Sequence, residues 1–260
     1  MPDGTVKPAR RPSLNPLEHL FAKHRLDGVI TETGLVTPTM KRIRIAVEAL
    51  RGVTVEPGRH IRVQINDPLS LYGIVRPGET LRTYSVWDQS EDGRELEIRA
   101  HLYDGEGIGL TWVRGAQEGQ VVEFWGPLGD FDLQPDAPYH LFVGEETASA
   151  AFGPMIRALG PGARVYGALE SDSPDDEVPV PGPHRLKRVY RDGASPVSSD
   201  VLLGAVSDLE LPGEPGAAYI AGEARTCQAI RNHLVHVRAW PRTQIRVKPF
   251  WTPGKRGLHH

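Results

Sequence analysis

The sequence predicts two architectures in series, a six-stranded antiparallel β-barrel followed by an α/β unit on a parallel sheet. Three observations carry this. Up to about residue 128, short segments alternate apolar and polar residues between turn signals such as Pro57-Gly58 and Pro77-Gly78, as half-buried antiparallel strands do. From Tyr139 onward the texture changes to continuous apolar runs, Tyr139-His140-Leu141-Phe142-Val143 and the run at 217–221, each entering a Gly-Glu turn and then a helical pattern. That is the signature of parallel strands covered on both faces. Finally, 28 glycines and 23 prolines in 260 residues favour short elements and tight turns over long helices.

In order along the chain, residues 1–16, with Lys7, Arg10, Arg11 and four prolines, are expected to form a mobile basic arm. Barrel strands are predicted at 25–37, 40–50 and 60–65, the second from the alternation Lys41-Arg42-Ile43-Arg44-Ile45-Ala46-Val47. The fourth covers 80–87, the fifth 95–102 and the sixth 120–125, ending at Gly126-Pro127. Between the last two, a glycine cluster leads into a short helix expected from Leu110. The domain boundary falls near 130, giving a barrel domain at 17–130 and an α/β domain at 131–260. In the second half, helices are predicted at 148–159, stopped by Gly160-Pro161-Gly162, at 198–205 and at 225–237. Strands are expected at 164–170, 186–190 and 217–221, and a last one from Gln244. On the third helix Cys227, Ile230, Leu234 and Val237 recur at helical spacing, so Cys227 reads as a core residue rather than a nucleophile.

A net charge of −3 gives no reason to expect nucleic acid or an anionic membrane as partner. The single cysteine excludes an internal disulfide framework and a cysteine-ligated cluster. With no 18-residue apolar run and no signal-peptide core, the expected location is the cytoplasm. The ten histidines form no helical metal-binding pattern, so no protein-built metal site is expected.

The stretch richest in chemistry is Thr80-Leu81-Arg82-Thr83-Tyr84-Ser85-Val86-Trp87. Strand alternation sends Arg82, Tyr84 and Val86 to one face and Thr83, Ser85 and Trp87 to the other. An arginine at a strand end can clamp a phosphate while a tyrosine lies against a flat ring and a hydroxyl reaches its heteroatoms. Taken alone, an isolated R-x-Y-S is more often an ordinary barrel strand with a salt-bridged arginine. Further on, Gly107 and Gly109 of Gly105-Glu106-Gly107-Ile108-Gly109-Leu110-Thr111-Trp112 would let backbone approach an anion at a helix start. A hairpin tip satisfies the same pattern. Residues 144–148, Gly-Glu-Glu-Thr-Ala, stand where open α/β sheets bind ligands, but without G-x-G-x-x-G a plain turn with Thr147 as N-cap is the alternative.

Together and in this order, these stretches and Ala218-Tyr219-Ile220-Ala221-Gly222-Glu223-Ala224-Arg225 resemble the siderophore-interacting FAD-binding proteins, a branch of the ferredoxin-reductase-like flavoenzymes. The resemblance implies a barrel that binds FAD through Arg82, Thr83, Tyr84, Ser85, Val86, His101, Leu102, Tyr103, Gly107, Ile108, Gly109, Leu110 and Thr111, aided by Glu146, Thr147 and Ala148. Arg82 would bind pyrophosphate, and Tyr84 and Ser85 would be the catalytic pair, along the isoalloxazine and near its N5. NADH or NADPH would lie against Gly144, Glu145, Thr147, Gly222, Glu223, Ala224 and Arg225 and pass a hydride to the flavin, which would reduce Fe(III) in a ferric siderophore. The basic aromatic tail, with Lys248, Trp251, Lys255 and Arg256, would meet that chelate; solvated charges beside a packed aromatic fit the same residues equally well. A monomer or weak dimer is expected. The chain departs from the family pattern at Trp87, Tyr103, Ile108 and Leu110. Those departures keep open a reductase serving another acceptor in a biosynthetic pathway, or a FAD-retaining binding protein without turnover.

Overall fold

The computed structural model describes residues 25–182 and 184–255; the arm expected at 1–16 and the site candidate Arg256 lie outside them. The first half closes into a barrel from β1 (Arg25–Thr37), β2 (Met40–Ala46), β3 (His60–Gln64), β4 (Leu81–Gln89), β5 (Glu95–His101) and β6 (Val121–Leu128), in the order β1-β2-β5-β4-β3-β6 with every pairing antiparallel. The six predicted strands are these six. Alternation explains the closure, because Ile43 and Ile45 are fully buried while Arg42 and Arg44 beside them reach the surface. Ile61, Val63, Ile98 and Phe124 complete the same core.

The second strand ends at Ala46 rather than at 50. Its partner β5 begins at Glu95, opposite Ala46, so beyond that point no ladder exists. The chain instead makes a 3-10 turn, Glu48–Leu50, that drops Leu50 into the barrel end. Two short helices join the barrel strands. The five-residue α1 (Leu71–Val75) has no sequence forecast, and its Leu71, Ile74 and Val75 are exposed. Helix α2 (Ile108–Gly115) starts two residues before the expected Leu110 and plugs the barrel with Val113, while Lys41 Nζ donates to the Val113 and Ala116 carbonyls at 2.8 and 2.9 Å.

The second half is a five-stranded parallel sheet of β7 (His140–Gly144), β8 (Val165–Ser171), β9 (Arg185–Tyr190), β10 (Ala217–Glu223) and β11 (Ile245–Trp251), ordered β11-β10-β7-β8-β9. Helix α3 (Glu146–Leu159) covers one face, while α4 (Asp200–Ser207) and α5 (Ala224–His236) cover the other. Cys227, Ile230 and Leu234 are buried as their spacing predicts, but α5 stops at His236 and leaves Val237 72% exposed. No helix among the described residues is long and apolar enough to cross a membrane.

Trp87 joins the halves. A bulge in the β4–β5 pairing between Val86 and Asp88 turns its ring outward against α3, where Gly153 leaves room that even a methyl group would fill. Arg99 stacks on the ring, its guanidinium carbon 3.4 Å from the ring centre, a favourable cation–π geometry. One helical turn on, Arg157 donates to Asp88 at 2.6 Å. Helix α3 therefore lies along β4.

Candidate functional site

The R-x-Y strand and the glycine cluster, 25 residues apart in sequence, meet in space. Tyr84 Oη donates to the Gly109 carbonyl at 3.2 Å, and a Cβ on Gly109 would stand 2.9 Å from Arg82 Cγ and 3.1 Å from Tyr84 Oη. Only glycine lets these two side chains lie on the first turn of α2. Arg82 Nη1 donates to the carbonyls of Gly78 and Leu81 at 2.8 and 2.7 Å, which sets the guanidinium at that turn. The Tyr84 ring tilts against Trp112 with centres 5.4 Å apart, and burial pushes its hydroxyl pKa up, so it stays protonated. The N-cap, Gly107, offers no side chain to the N–H groups of α2, and unfilled helix N-termini favour anions. Arg114 holds the preceding loop by donating to the carbonyls of Tyr103 and Gly105 at 3.1 and 3.3 Å.

The other barrel candidates surround this nucleus. Thr83 and Thr111 are exposed, Ser85, His101, Leu102, Gly107 and Ile108 are half-buried, and Tyr103 is exposed beside the His101 ring. Val86 and Leu110 face inward, so only their backbone is available to a ligand. An arginine, a protonated phenol and a helix start free of side-chain caps suit a pyrophosphate joined to a flat ring system, so the residues present fit FAD. Trp87 belongs to the interface between the halves.

At the sheet, strand order reverses between β7 and β10, and the carboxyl ends of the strands at such a reversal are where open α/β sheets bind ligands. Both strands end in Gly-Glu, and in both the glutamate caps the following helix. Glu145 accepts from the Thr147 N–H at 2.7 Å, the Thr147 hydroxyl at 2.6 Å and Trp251 Nε1 at 2.9 Å. The expected N-cap Thr147 is thus a donor to the real one. Glu223 likewise accepts from the Thr226 and Ser198 N–H groups at 2.9 and 3.2 Å. Burial alone would raise its pKa, but these donors win and hold it below the usual range. Around Glu145 burial prevails, reinforced by the charge of Glu146, and its pKa is raised.

Packing also accounts for the two glycines. A methyl group on Gly144 would overlap Ala148 and stand 2.5 Å from the Ala221 carbonyl, and one on Gly222, with φ +120°, would stand 2.6 Å from Glu145 Oε1. Ala148 is buried, Ala224 half-buried and Arg225 exposed on the first turn of α5. Glu146 is held in the interior by Arg191, at 2.7 and 2.9 Å, and by the Asp172 N–H at 2.8 Å.

The tail reaches this sheet end through a register slip. Gly222 pairs with Pro249 but Glu223 with Trp251, and skipping Phe250 turns the indole onto Glu145. Lys248 is ion-paired with Asp130 at 3.0 Å, and Lys255 is exposed in a terminal turn. The sequence carried no signal for the Glu145–Trp251 bond, which spans 106 residues. Trp251→Phe keeps the ring and removes one donor to a buried carboxylate, so a loss of about 1–3 kcal/mol is expected in urea unfolding. A raised carboxyl pKa makes stability fall as pH rises from the unfolded value toward the folded one, and losing a donor to the ionised form deepens that fall. The deficit should be full above the folded pKa and shrink toward about pH 4; a pH-independent deficit would assign it to packing.

Comparison with known proteins accords with this geometry. A model described as siderophore-interacting FAD-binding domain matches residues 29–131, and one described as siderophore-interacting protein matches residues 137–254. An uncharacterized protein of Mycobacterium tuberculosis is 32% identical over 181 residues, 66% of this chain and 62% of that protein, so the match spans under two thirds of that relative. Ferric vibriobactin reductase ViuB of Vibrio cholerae is 27% identical over 237 residues, 85% of this chain and 86% of its own. Among solved structures, a siderophore utilization protein from T. fusca superposes with a TM-score of 0.78 at 24% identity, covering 91% of this chain and 95% of that one.

Proposed function

We infer the function from one premise: the chain belongs to the siderophore-interacting FAD-binding protein family. It is an oxidoreductase of the flavin class, and its proposed reaction is the reduction of ferric siderophores at the expense of NADH or NADPH, with release of Fe(II). The observation that carries this is the convergence of Arg82 and Tyr84 on Gly109 at the uncapped start of α2. The reductase most informative by name, ViuB, acts on ferric vibriobactin, which supports the acceptor class.

In this proposal residues 17–130 hold the flavin and residues 131–260 offer the nicotinamide. Arg82 and the first N–H groups of α2 would hold the pyrophosphate, Tyr84 would pack against the flat ring system, and the Ser85 hydroxyl would offer it a hydrogen bond. Bound FAD would supply the redox chemistry that links a two-electron donor to the one-electron reduction of Fe(III). The remaining tasks belong to the chain. Gly144, Gly222 and the capping glutamates shape the sheet end that would take the nucleotide, and Trp251 guards it on the β11 side. Lys255 and Arg256 draw in an anionic chelate, while Lys248 ties the tail to Asp130.

The test is an anaerobic titration of the purified, FAD-loaded protein. Adding NADH or NADPH should bleach the flavin absorbance; a ferric siderophore should restore it as Fe(II) is trapped by a chromogenic chelator. Absence of flavin bands, or bands that neither nucleotide bleaches, would sink the proposal. Bleaching without reoxidation by any ferric chelate would move the acceptor to another class.

A further inference from the structure

At the sheet end where a dinucleotide is proposed to lie, the β10 side is occupied by Trp251, fixed to Glu145 at 2.9 Å. The side left for the adenosine half is then that of the neighbouring β8 and β9. Where a strand of such a sheet ends beneath the adenosine ribose, a carboxylate accepts from the hydroxyls of NADH, whereas an available arginine accommodates the 2′-phosphate of NADPH. This chain has both residue types there, Asp172 just after β8 and Arg191 just after β9.

Their pairing decides between them. Arg191, its side chain only 8% exposed, contacts Glu146 at 2.7 Å, Asp172 at 3.4 Å and Glu170 at 3.6 Å. Burial pushes the Glu170 carboxyl pKa up, but Glu146 and Asp172 alone already outnumber the guanidinium. The other nearby cation on β9, Arg188, is engaged by Glu177 at 3.9 Å and by the Val178 carbonyl at 3.1 Å. Asp172 is the member of this group that reaches solvent, at 43% side-chain exposure, with its Oδ1 also accepting from the Gly193 N–H. Asp175 and Asp192 are exposed on the adjoining loops. A doubly charged phosphate would meet carboxylates and a guanidinium already neutralised; a ribose hydroxyl would meet an acceptor.

We propose that Asp172 makes this chain select NADH over NADPH, by accepting from the adenosine ribose hydroxyls and by joining Glu146 in neutralising the cation that a 2′-phosphate needs. The inference rests on the nicotinamide reading above and names the nucleotide that reading leaves open. Calorimetric titration of the FAD-loaded protein with NAD⁺ and NADP⁺ tests it without turnover. NAD⁺ should bind at least about tenfold more tightly, and the gap should narrow as added salt screens the repulsion. Asp172→Asn, which removes one charge and loosens Arg191, should shift the ratio about tenfold toward NADP⁺. Equal or tighter NADP⁺ binding by the unaltered protein overturns the proposal, as does a gap that widens with salt or a ratio that Asp172→Asn leaves unchanged in a variant of normal melting temperature. Binding of neither nucleotide overturns the nicotinamide reading itself, and this proposal with it.

Discussion

Arg82→Ala is expected to yield a folded protein that purifies without FAD. A hydrogen bond to a charged partner contributes about 1.5–3 kcal/mol, so losing the guanidinium should weaken FAD binding roughly ten- to hundredfold. Arg82 donates to two backbone carbonyls, those of Gly78 and Leu81, and the barrel core of Ile43, Ile61, Ile98 and Phe124 does not involve it. The apoprotein should therefore lose little stability. Arg82→Lys separates charge from shape, since it keeps the cation and loses the fork that matches a phosphate; it should recover part of the affinity. Gly109→Ala tests the same site from the other side, because its methyl group would press on Arg82 Cγ and Tyr84 Oη. Flavin-to-protein absorbance after gel filtration, read beside urea midpoints, measures both quantities. Full flavin content in Arg82→Ala would take this residue out of the site.

What the sequence made legible and what it hid divide along contact range. Period-two alternation in 41–47 and the continuous run from Tyr139 are local signals, and each produced its strand. The faces of β4 followed from alternation as well, with Arg82 and Tyr84 on the α2 side and Trp87 against α3. Strand ends were less legible where a partner sets them, as at Ala46. Hidden altogether were side-chain partnerships between distant segments. By local preference Thr147 is the better cap, yet Glu145 takes the role because Gly222, 77 residues away, makes room for its carboxylate and Trp251 supplies a third donor. Arg191, which in sequence is one arginine among many near an acidic loop, becomes the centre of a carboxylate cage only once β7, β8 and β9 lie side by side. Trp87, a departure from the family pattern in the sequence, proves to be the wedge between the two halves.

That wedge supplies the second large effect. Trp87 is 5% exposed, packed with Met40 and Val178 and stacked on Arg99, so Trp87→Ala should cost about 3–5 kcal/mol. Gly153 opposite it is a helix-interior glycine, where alanine normally stabilises by about 0.5–1 kcal/mol. Here the added methyl group would overlap the indole, and Gly153→Ala should instead destabilise by about 1–3 kcal/mol. In the Trp87→Ala background the obstruction is gone, so the same Gly153→Ala change should become stabilising. A reversal of sign across the double-mutant cycle is the result a direct contact demands; simple additivity would show that the two residues do not bear on each other. Because α3 is held along β4 by this contact and by the Arg157–Asp88 pair, loosening it should also shift α3 relative to β4. Reduction of the bound flavin by a nicotinamide should then slow more than FAD binding weakens, since the proposed flavin contacts lie mainly in the barrel whereas the proposed electron delivery depends on how the two halves are aligned.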